Sequence, residues 1–168
     1  FLGYYNPFLQ YGLDAFVRDA ADVGVDGVIV PDLPSEESAS FRKLCERSDM
    51  YLIPLLAPTS TEQRIALACK EAKGFIYCVS LAGVTGTRSK PWSGLENLVA
   101  RIRCHTDLPI LVGFGVSTRK DFVVIGNFAD GVIVGSALLD AIDSAPAKNT
   151  VQAARDFIVG LKGDKKIF

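Results

Sequence analysis

Short apolar runs alternate with longer amphipathic segments, and this alternation restricts the possible folds more than any other feature of the chain. Runs rich in β-branched and aromatic residues predict strands over 1–5, 27–31, 51–56, 74–80, 109–113 and 131–135. Apolar residues recurring every three or four positions predict helices over 13–23, 36–47, 61–73, 94–106, 119–128 and 150–161. Because strands that alternate with helices pair in parallel, the predicted fold class is α/β.

The chain shows no interdomain linker and no low-complexity segment, so residues 1–168 are predicted to form a single domain. The segment DGVIV occurs twice, at residues 26–30 and 130–134. The repetition is consistent with the cyclic symmetry of a barrel, and equally with a strand sequence that is simply common in βα units.

Composition excludes two broad functional classes. Hydrophobic residues make up 49% of the chain, charged residues 22%, and the net charge is −1. The longest apolar runs are far shorter than the roughly 20 residues that span a bilayer, and there is no stripe of Lys and Arg for DNA or RNA. We therefore expect no membrane and no nucleic-acid partner. The first residues lack the basic region of a secretory signal, and a cytoplasmic location is expected.

The cysteines and the histidine do not form a recognisable reactive site. Cys45, Cys69, Cys78 and Cys104 are far apart in sequence, and His105, the only histidine, directly follows Cys104. Neighbouring helical residues point about 100° apart, which disfavours a Cys–His catalytic pair. We predict buried or half-buried thiols in a reducing compartment and no metal site.

Glycines follow three successive predicted strands. Gly83 and Gly86 follow the fourth, Gly115 follows the fifth, and Gly135 precedes Ser136 after the sixth. Glycine lets a phosphate approach backbone N–H groups, and a helix that starts at Ser136 would add positive potential and a hydroxyl donor. In (β/α)8 barrels, phosphate often binds after the last two strands. The pattern favours a phosphate-binding barrel over a doubly wound sheet.

Six segments resemble one family closely: the α subunit of tryptophan synthase. They are YYNPF, VPDLPSEES, LAPTSTEQR, GFIYCVSLAGVTGTR, VGFGVS and DGVIVGSALL, in this order. The resemblance implies a (β/α)8 TIM barrel of which this chain holds about six C-terminal strands. It also implies a lyase of tryptophan biosynthesis, which cleaves indole-3-glycerol phosphate to indole and glyceraldehyde 3-phosphate. A whole barrel has about 250 residues, so two or three βα units are expected on the N-terminal side.

The resemblance also implies roles for individual residues. Gly86, Gly115, Gly135 and Ser136 would bind phosphate, and Tyr77 would contact the glycerol moiety. The indole pocket would be walled by Tyr4, Leu2 and Leu55, and Thr85 would latch a mobile lid over 81–95. For each wall residue, packing in the barrel core is the alternative. Leu81 stands where many members of the family have Arg, so the charge of the lid differs.

No residue of this chain is assigned as catalytic, because the two carboxylates that the family uses belong to strand and loop segments upstream of Phe1. Asp32 and Glu36 are possible substitutes, but a bracing or interface role suits Asp32 better. Asn6, Pro34 and Gly83 match positions that contact the β subunit, in a complex of two α and two β subunits. Pyridoxal phosphate is expected only in that β subunit, and this chain is expected to need no cofactor.

Other functions remain open from the sequence. The chain could be an inactive fragment, or a subunit that binds phosphate ligands and only activates its partner. It could also be a different phosphate-binding barrel enzyme, such as a relative of the thiamine-phosphate or phosphoribosyl-isomerase enzymes.

Overall fold

A computed structural model describes residues 1–79, 92, 94–113 and 115–163. Its strands pair only in parallel and in chain order. They are β1 (Gly27–Ile29), β2 (Tyr51–Ile53), β3 (Leu55–Leu56), β4 (Ile76–Val79), β5 (Ile110–Gly113) and β6 (Gly131–Ile133). Pro54 separates β2 from β3, and its carbonyl accepts a hydrogen bond from the N–H of Tyr77 at 3.1 Å. The predicted strand 51–56 therefore pairs with β1 through its first half and with β4 through its second half.

The described residues form eight α-helices, of which α3, α4, α5 and α6 cross over between successive strands. They are α1 (Tyr5–Tyr11), α2 (Leu13–Asp22), α3 (Ala39–Arg47), α4 (Glu62–Glu71), α5 (Leu95–Arg103), α6 (Arg119–Ile125), α7 (Ser136–Asp143) and α8 (Thr150–Lys162). Short 3-10 turns cover Ser35–Glu37 and Ala147–Asn149. No helix in the described part of the chain has the length and apolar character needed to span a bilayer.

The predicted strand over residues 1–5 is confirmed only at its start. Leu2 makes a parallel bridge to Ile29, and the N–H groups of Ile29 and Gly3 donate to the carbonyls of Phe1 and Ile29 at 2.7 and 3.1 Å. The end of the prediction is wrong, because Tyr5 already begins α1. Pro7 is tolerated there because the first N–H groups of a helix have no partner within the helix. Gly12, with a φ of 92°, separates α1 from α2. Of the aromatic residues in this segment, Tyr5 packs against the core from α1, whereas Phe1 and Tyr4 are exposed.

The hydrophobic core has two parts. In one part, α1, α2 and α3 pack against β1. There the ring centroids of Phe8 and Phe16 are 4.5 Å apart, next to the fully buried Phe41. The other packs α4, α5 and α6 against the outer face of β3 to β6, where Ile76, Cys78 and neighbouring residues are completely buried. Since side chains alternate between the two faces of a strand, Tyr77 points away from the helices, to the inner face.

Asp130 anchors the start of β5 to the start of β6. Its carboxylate accepts a 2.7 Å hydrogen bond from the N–H of Ile110 and pairs with Arg103 at the end of α5. Partial burial alone would raise the pKa of Asp130, but the Ile110 N–H and the Arg103 guanidinium favour the charged form more strongly, so the pKa lies below its ordinary value. The first residue of the second DGVIV segment thus has a structural role.

We predict that Asp130→Ala lowers the free energy of unfolding by about 1–2 kcal/mol near neutral pH, because a half-exposed carboxylate loses one backbone and one guanidinium partner. A lowered native pKa stabilises the fold above the pKa of the unfolded state and ceases to do so as pH falls through the native value. The difference from the wild type, measured by urea unfolding, should therefore shrink below pH of about 4. Asp130→Asn keeps an acceptor oxygen for the Ile110 N–H and should therefore lower the free energy of unfolding less than Asp130→Ala does. A difference that stays constant into acid would contradict this role.

Candidate active site

A cavity of about 410 Å³ opens at the carboxyl ends of β4, β5 and β6. Its walls include Leu2 near the start of the chain, Tyr77 on β4, Gly115 after β5, and Gly135 and Ser136 at the start of α7. All five were predicted from the sequence as substrate or phosphate residues, and the fold brings them to one cavity. In a parallel barrel, this end of the sheet is where ligands bind.

Tyr77 occupies its position because Gly113 has no side chain. The two residues lie on the inner faces of β4 and β5, and a Cβ built on Gly113 would overlap both the ring and the hydroxyl of Tyr77. Tyr77 is 5% exposed, and its burial raises the pKa of the phenol. The phenol therefore stays protonated at neutral pH and can donate a hydrogen bond into the cavity. Sequence analysis missed this role of Gly113, because it depends on the register between β4 and β5, in which Gly113 lies two residues beyond the partner of Tyr77.

The amino end of α7 presents free donors to the cavity. Gly135 caps the helix, and its carbonyl accepts hydrogen bonds from the N–H groups of Leu138 and Leu139 at 2.9 and 3.1 Å. The preceding N–H groups, of Ser136 and Ala137, are in the turn whose donors have no partner within the helix. A Cβ on Gly135 would meet no atom within 4 Å. Open space above backbone donors is what a phosphate group requires.

The segment after β5 is shaped differently. Gly115 has a φ of 73°, a conformation that favours glycine. Two residues later the N–H groups of Ser117 and Thr118 donate to the Asp121 carboxylate at 3.2 and 2.8 Å, in a capping box that starts α6. The amino end of α6 is therefore satisfied by its own chain, so α7 is the helix whose end is open to an anion.

Some predicted site residues lie elsewhere or cannot be described. Tyr4 is 68% exposed and is not among the described residues that line this cavity. Leu55 pairs in register with Tyr77 but lines a neighbouring cavity of about 370 Å³. The roles predicted for Gly83, Thr85 and Gly86, together with Leu81 and most of the lid predicted over 81–95, lie outside the described part of the chain. Of the predicted lid, residues 92, 94 and 95 are described, and Leu95 begins α5.

The neighbouring cavity includes both carboxylates considered as substitutes for the catalytic acids. Asp32 accepts a 2.8 Å hydrogen bond from the N–H of Tyr5, which ties the start of α1 to the loop after β1. Glu36 pairs with Arg64 at 2.6 Å. Its own backbone N–H and the Arg64 guanidinium hold the pKa of Glu36 below its ordinary value. The bonding of Asp32 agrees with a bracing role, and Glu36 is poorly suited to donate a proton at neutral pH.

The cysteines do not contribute to the site. Burial raises the pKa of Cys45 and Cys69 to about 11 and that of Cys78 to about 12, so these thiols stay protonated and unreactive. Cys104 is exposed and contacts the carbonyl of Ala100, whereas His105 faces Glu62 with 3.7 Å between the nearest nitrogen and oxygen. Among the residues that the structure describes, no three metal-binding side chains come together.

The family model described as "Tryptophan synthase alpha chain" matches residues 1–165. The chain belongs to the tryptophan synthase alpha chain family. It is 48% identical over 162 residues to the tryptophan synthase alpha chain of Roseiflexus sp. strain RS-1, with 96% of this chain and 62% of that one covered. The resemblance predicted from the six sequence segments is confirmed. Because the chain belongs to this family, the alternative that it is a different phosphate-binding barrel enzyme is excluded.

Solved structures of the family share this fold. The tryptophan synthase α subunit of Campylobacter jejuni superimposes with a TM-score of 0.82 at 38% identity, covering 94% of this chain and 63% of that one. A chain of the a2b2 complex of Pyrococcus furiosus gives a TM-score of 0.84 at 31% identity, covering 96% and 65%. The predicted fold class, α/β with part of a (β/α)8 barrel, is confirmed. The chain spans about 62% of the length of the curated relative from Roseiflexus.

We predict that Gly113→Ala lowers the free energy of unfolding by about 1–3 kcal/mol, because the added methyl group displaces Tyr77 or moves β5. In a background that carries Tyr77→Ala, the same change should cost less than 1 kcal/mol, since the obstacle is gone. Chemical unfolding of the four proteins of the cycle measures the coupling.

Gly135→Ala is the matched control, because its Cβ enters open space. It should change the stability by less than about 0.5 kcal/mol. Equal costs for Gly113→Ala in the two backgrounds would show that Tyr77 does not depend on Gly113.

Proposed function

We propose that this chain supplies the substrate-binding part of a tryptophan synthase α subunit, which cleaves indole-3-glycerol phosphate to indole and glyceraldehyde 3-phosphate. The observation that carries the proposal is the cavity in which Tyr77, Gly115, Gly135 and Ser136 meet at the carboxyl ends of parallel strands. Two findings support the proposal: the arrangement of these residues and the chain's membership of the tryptophan synthase alpha family.

The phosphate of the substrate is proposed to lie over Gly135, within reach of the N–H groups of Ser136 and Ala137 and of the Ser136 hydroxyl. Open space above Gly135 and the unsatisfied donors of α7 support this position. Gly115 would form the opposite wall, where its positive φ brings the backbone close without a side chain. Gly86 is proposed as a further phosphate residue on family resemblance alone.

The rest of the substrate would extend along the inner face of the sheet. Leu2, Tyr77 and Ile133 line the same cavity and provide apolar and aromatic surface for an indole ring. The phenol of Tyr77 would donate a hydrogen bond to a glycerol hydroxyl. Leu55, next to Tyr77 in register, and Tyr4 are proposed as outer walls, and Thr85 as the latch of the lid.

Carbon–carbon cleavage needs an acid to protonate the indole ring and a carboxylate near its nitrogen. Neither Asp32, which braces α1, nor Glu36, whose pKa is lowered, suits the role of acid. We propose that both groups come from the part of the family's barrel that lies outside the aligned length. Activity of this chain by itself is accordingly not expected, and the proposed reaction belongs to the whole subunit.

The proposed partner is the β subunit of tryptophan synthase, which would carry the pyridoxal phosphate, while this chain would need no cofactor. Asn6 is exposed in the first turn of α1, and Pro34 lies in the loop after β1. The hydrogen bond from Tyr5 to Asp32 joins these two segments. That link supports one continuous contact surface, to which we add Gly83 on family resemblance. An activating subunit without catalysis would instead stimulate the β reaction and release no indole.

We predict that Gly135→Glu weakens the binding of indole-3-glycerol phosphate by about 100-fold or more, equivalent to about 2.7 kcal/mol. The new carboxylate would occupy and repel the phosphate position. Calorimetric titration of the whole natural protein, with inorganic phosphate as a competitor, measures the effect. Gly160→Glu on α8, whose Cβ also meets nothing within 4 Å, is the matched control and should bind normally. Unchanged binding by Gly135→Glu would refute the phosphate position.

Tyr77→Phe should weaken the binding of indole-3-glycerol phosphate by about fivefold, because one hydrogen bond of about 1 kcal/mol is lost while the ring stays in place. Turnover, measured as indole release, should fall with it. If affinity and turnover were both unchanged, Tyr77 would be a packing residue only.

A further inference from the structure

The cavity proposed to bind phosphate contains one charged side chain among its described lining residues, and that side chain is acidic. Asp140 lines it together with Gly115, Gly135 and Ser136. No Lys or Arg is found among the lining residues that the structure describes. In this part of the site, attraction for an anion thus comes from backbone and hydroxyl donors, while the fixed charge is repulsive.

Helix geometry explains why Asp140 faces the ligand position. Ser136 and Asp140 are four residues apart on α7, so their Cβ atoms lie on the same face, about 5–6 Å apart. Asp140 is exposed at the rim of the cavity, one turn from the helix start. A carboxylate is stabilising in the first turn of a helix, but Asp140 lies in the second turn of α7, outside that favourable position. At this position it also lies beside the place of a second negative group.

We infer that Asp140 is an affinity-setting residue that weakens phosphate binding at this site. The inference rests on the proposed phosphate position over Gly135. Two negative charges on the phosphate and one on the carboxylate, about 7 Å apart in a water-like medium, correspond to a five- to tenfold loss of affinity. Asp140 thereby limits how tightly the phosphate moiety is held, for the substrate and for any phosphorylated product.

The test is the dissociation constant of inorganic phosphate for the whole natural protein and three variants, by calorimetry or NMR titration. Asp140→Asn should bind about five- to tenfold more tightly than the wild type, and Asp140→Lys more tightly still. Asp143→Asn lies on the same helix and does not line the cavity, so it should change affinity less than twofold. Each variant is first checked for an unchanged melting temperature.

Salt separates charge repulsion from a change in shape. The advantage of Asp140→Asn should be largest at about 0.01 M ionic strength and nearly disappear at about 1 M, where the Debye length falls from about 30 Å to about 3 Å. Equal affinities of wild type and Asp140→Asn at low salt, or an advantage that salt does not reduce, would overturn the inference while leaving the phosphate site in place. If neither the wild type nor any variant bound phosphate, the proposed function would fail as well.

Discussion

The main constraint on this molecule is that each parallel strand must bury both of its faces. The outer faces of β3 to β6 pack against α4, α5 and α6, so residues such as Cys78 and Val112 are completely buried. The inner faces must then be filled by the strands themselves. They do so by setting large residues beside glycine: Tyr77 lies over Gly113, and a Cβ on Gly131 would come within 3.0 Å of Leu111. The large inner-face side chains thus fit only because glycine occupies the neighbouring position on the next strand.

This packing also creates the site. Because the strands are parallel and in chain order, the segments that follow β4, β5 and β6 all emerge at the same edge of the sheet. The phenol of Tyr77 and the open amino end of α7 therefore line the same cavity. The capping box at Thr118 satisfies the neighbouring helix, which makes the two helix ends chemically different. In the proposed function, that difference selects where the phosphate lies.

Periodicity predicted most of the fold, and particular residues explain where it failed. Helices such as α2 and α8 were placed within one residue of their ends, because their apolar residues recur at helical spacing. The end of the segment at 1–5 was misassigned since Tyr4 and Tyr5 suit strands by propensity, whereas tertiary packing around Phe8 and Phe41 favours a helix from Tyr5 onward. Glycine positions predicted the cavity. The contact between Tyr77 and Gly113 could not be predicted, because it depends on the register of β4 and β5. The position of Asp140 beside the cavity could not be predicted either, because it depends on which face of α7 is turned to the sheet. Both are set by contacts between residues distant in sequence.

The most direct test of the central claim is a ¹⁵N chemical-shift titration of the whole natural protein with inorganic phosphate. If the phosphate lies at the open end of α7, the largest and saturable shifts should occur at the amides of Ser136 and Ala137, with smaller shifts at Gly115. Shifts concentrated instead around the second cavity, near Leu33 and Arg64, or absent at the start of α7, would contradict the account. The first result would place the anion where backbone donors, and not a basic side chain, were left open to receive it.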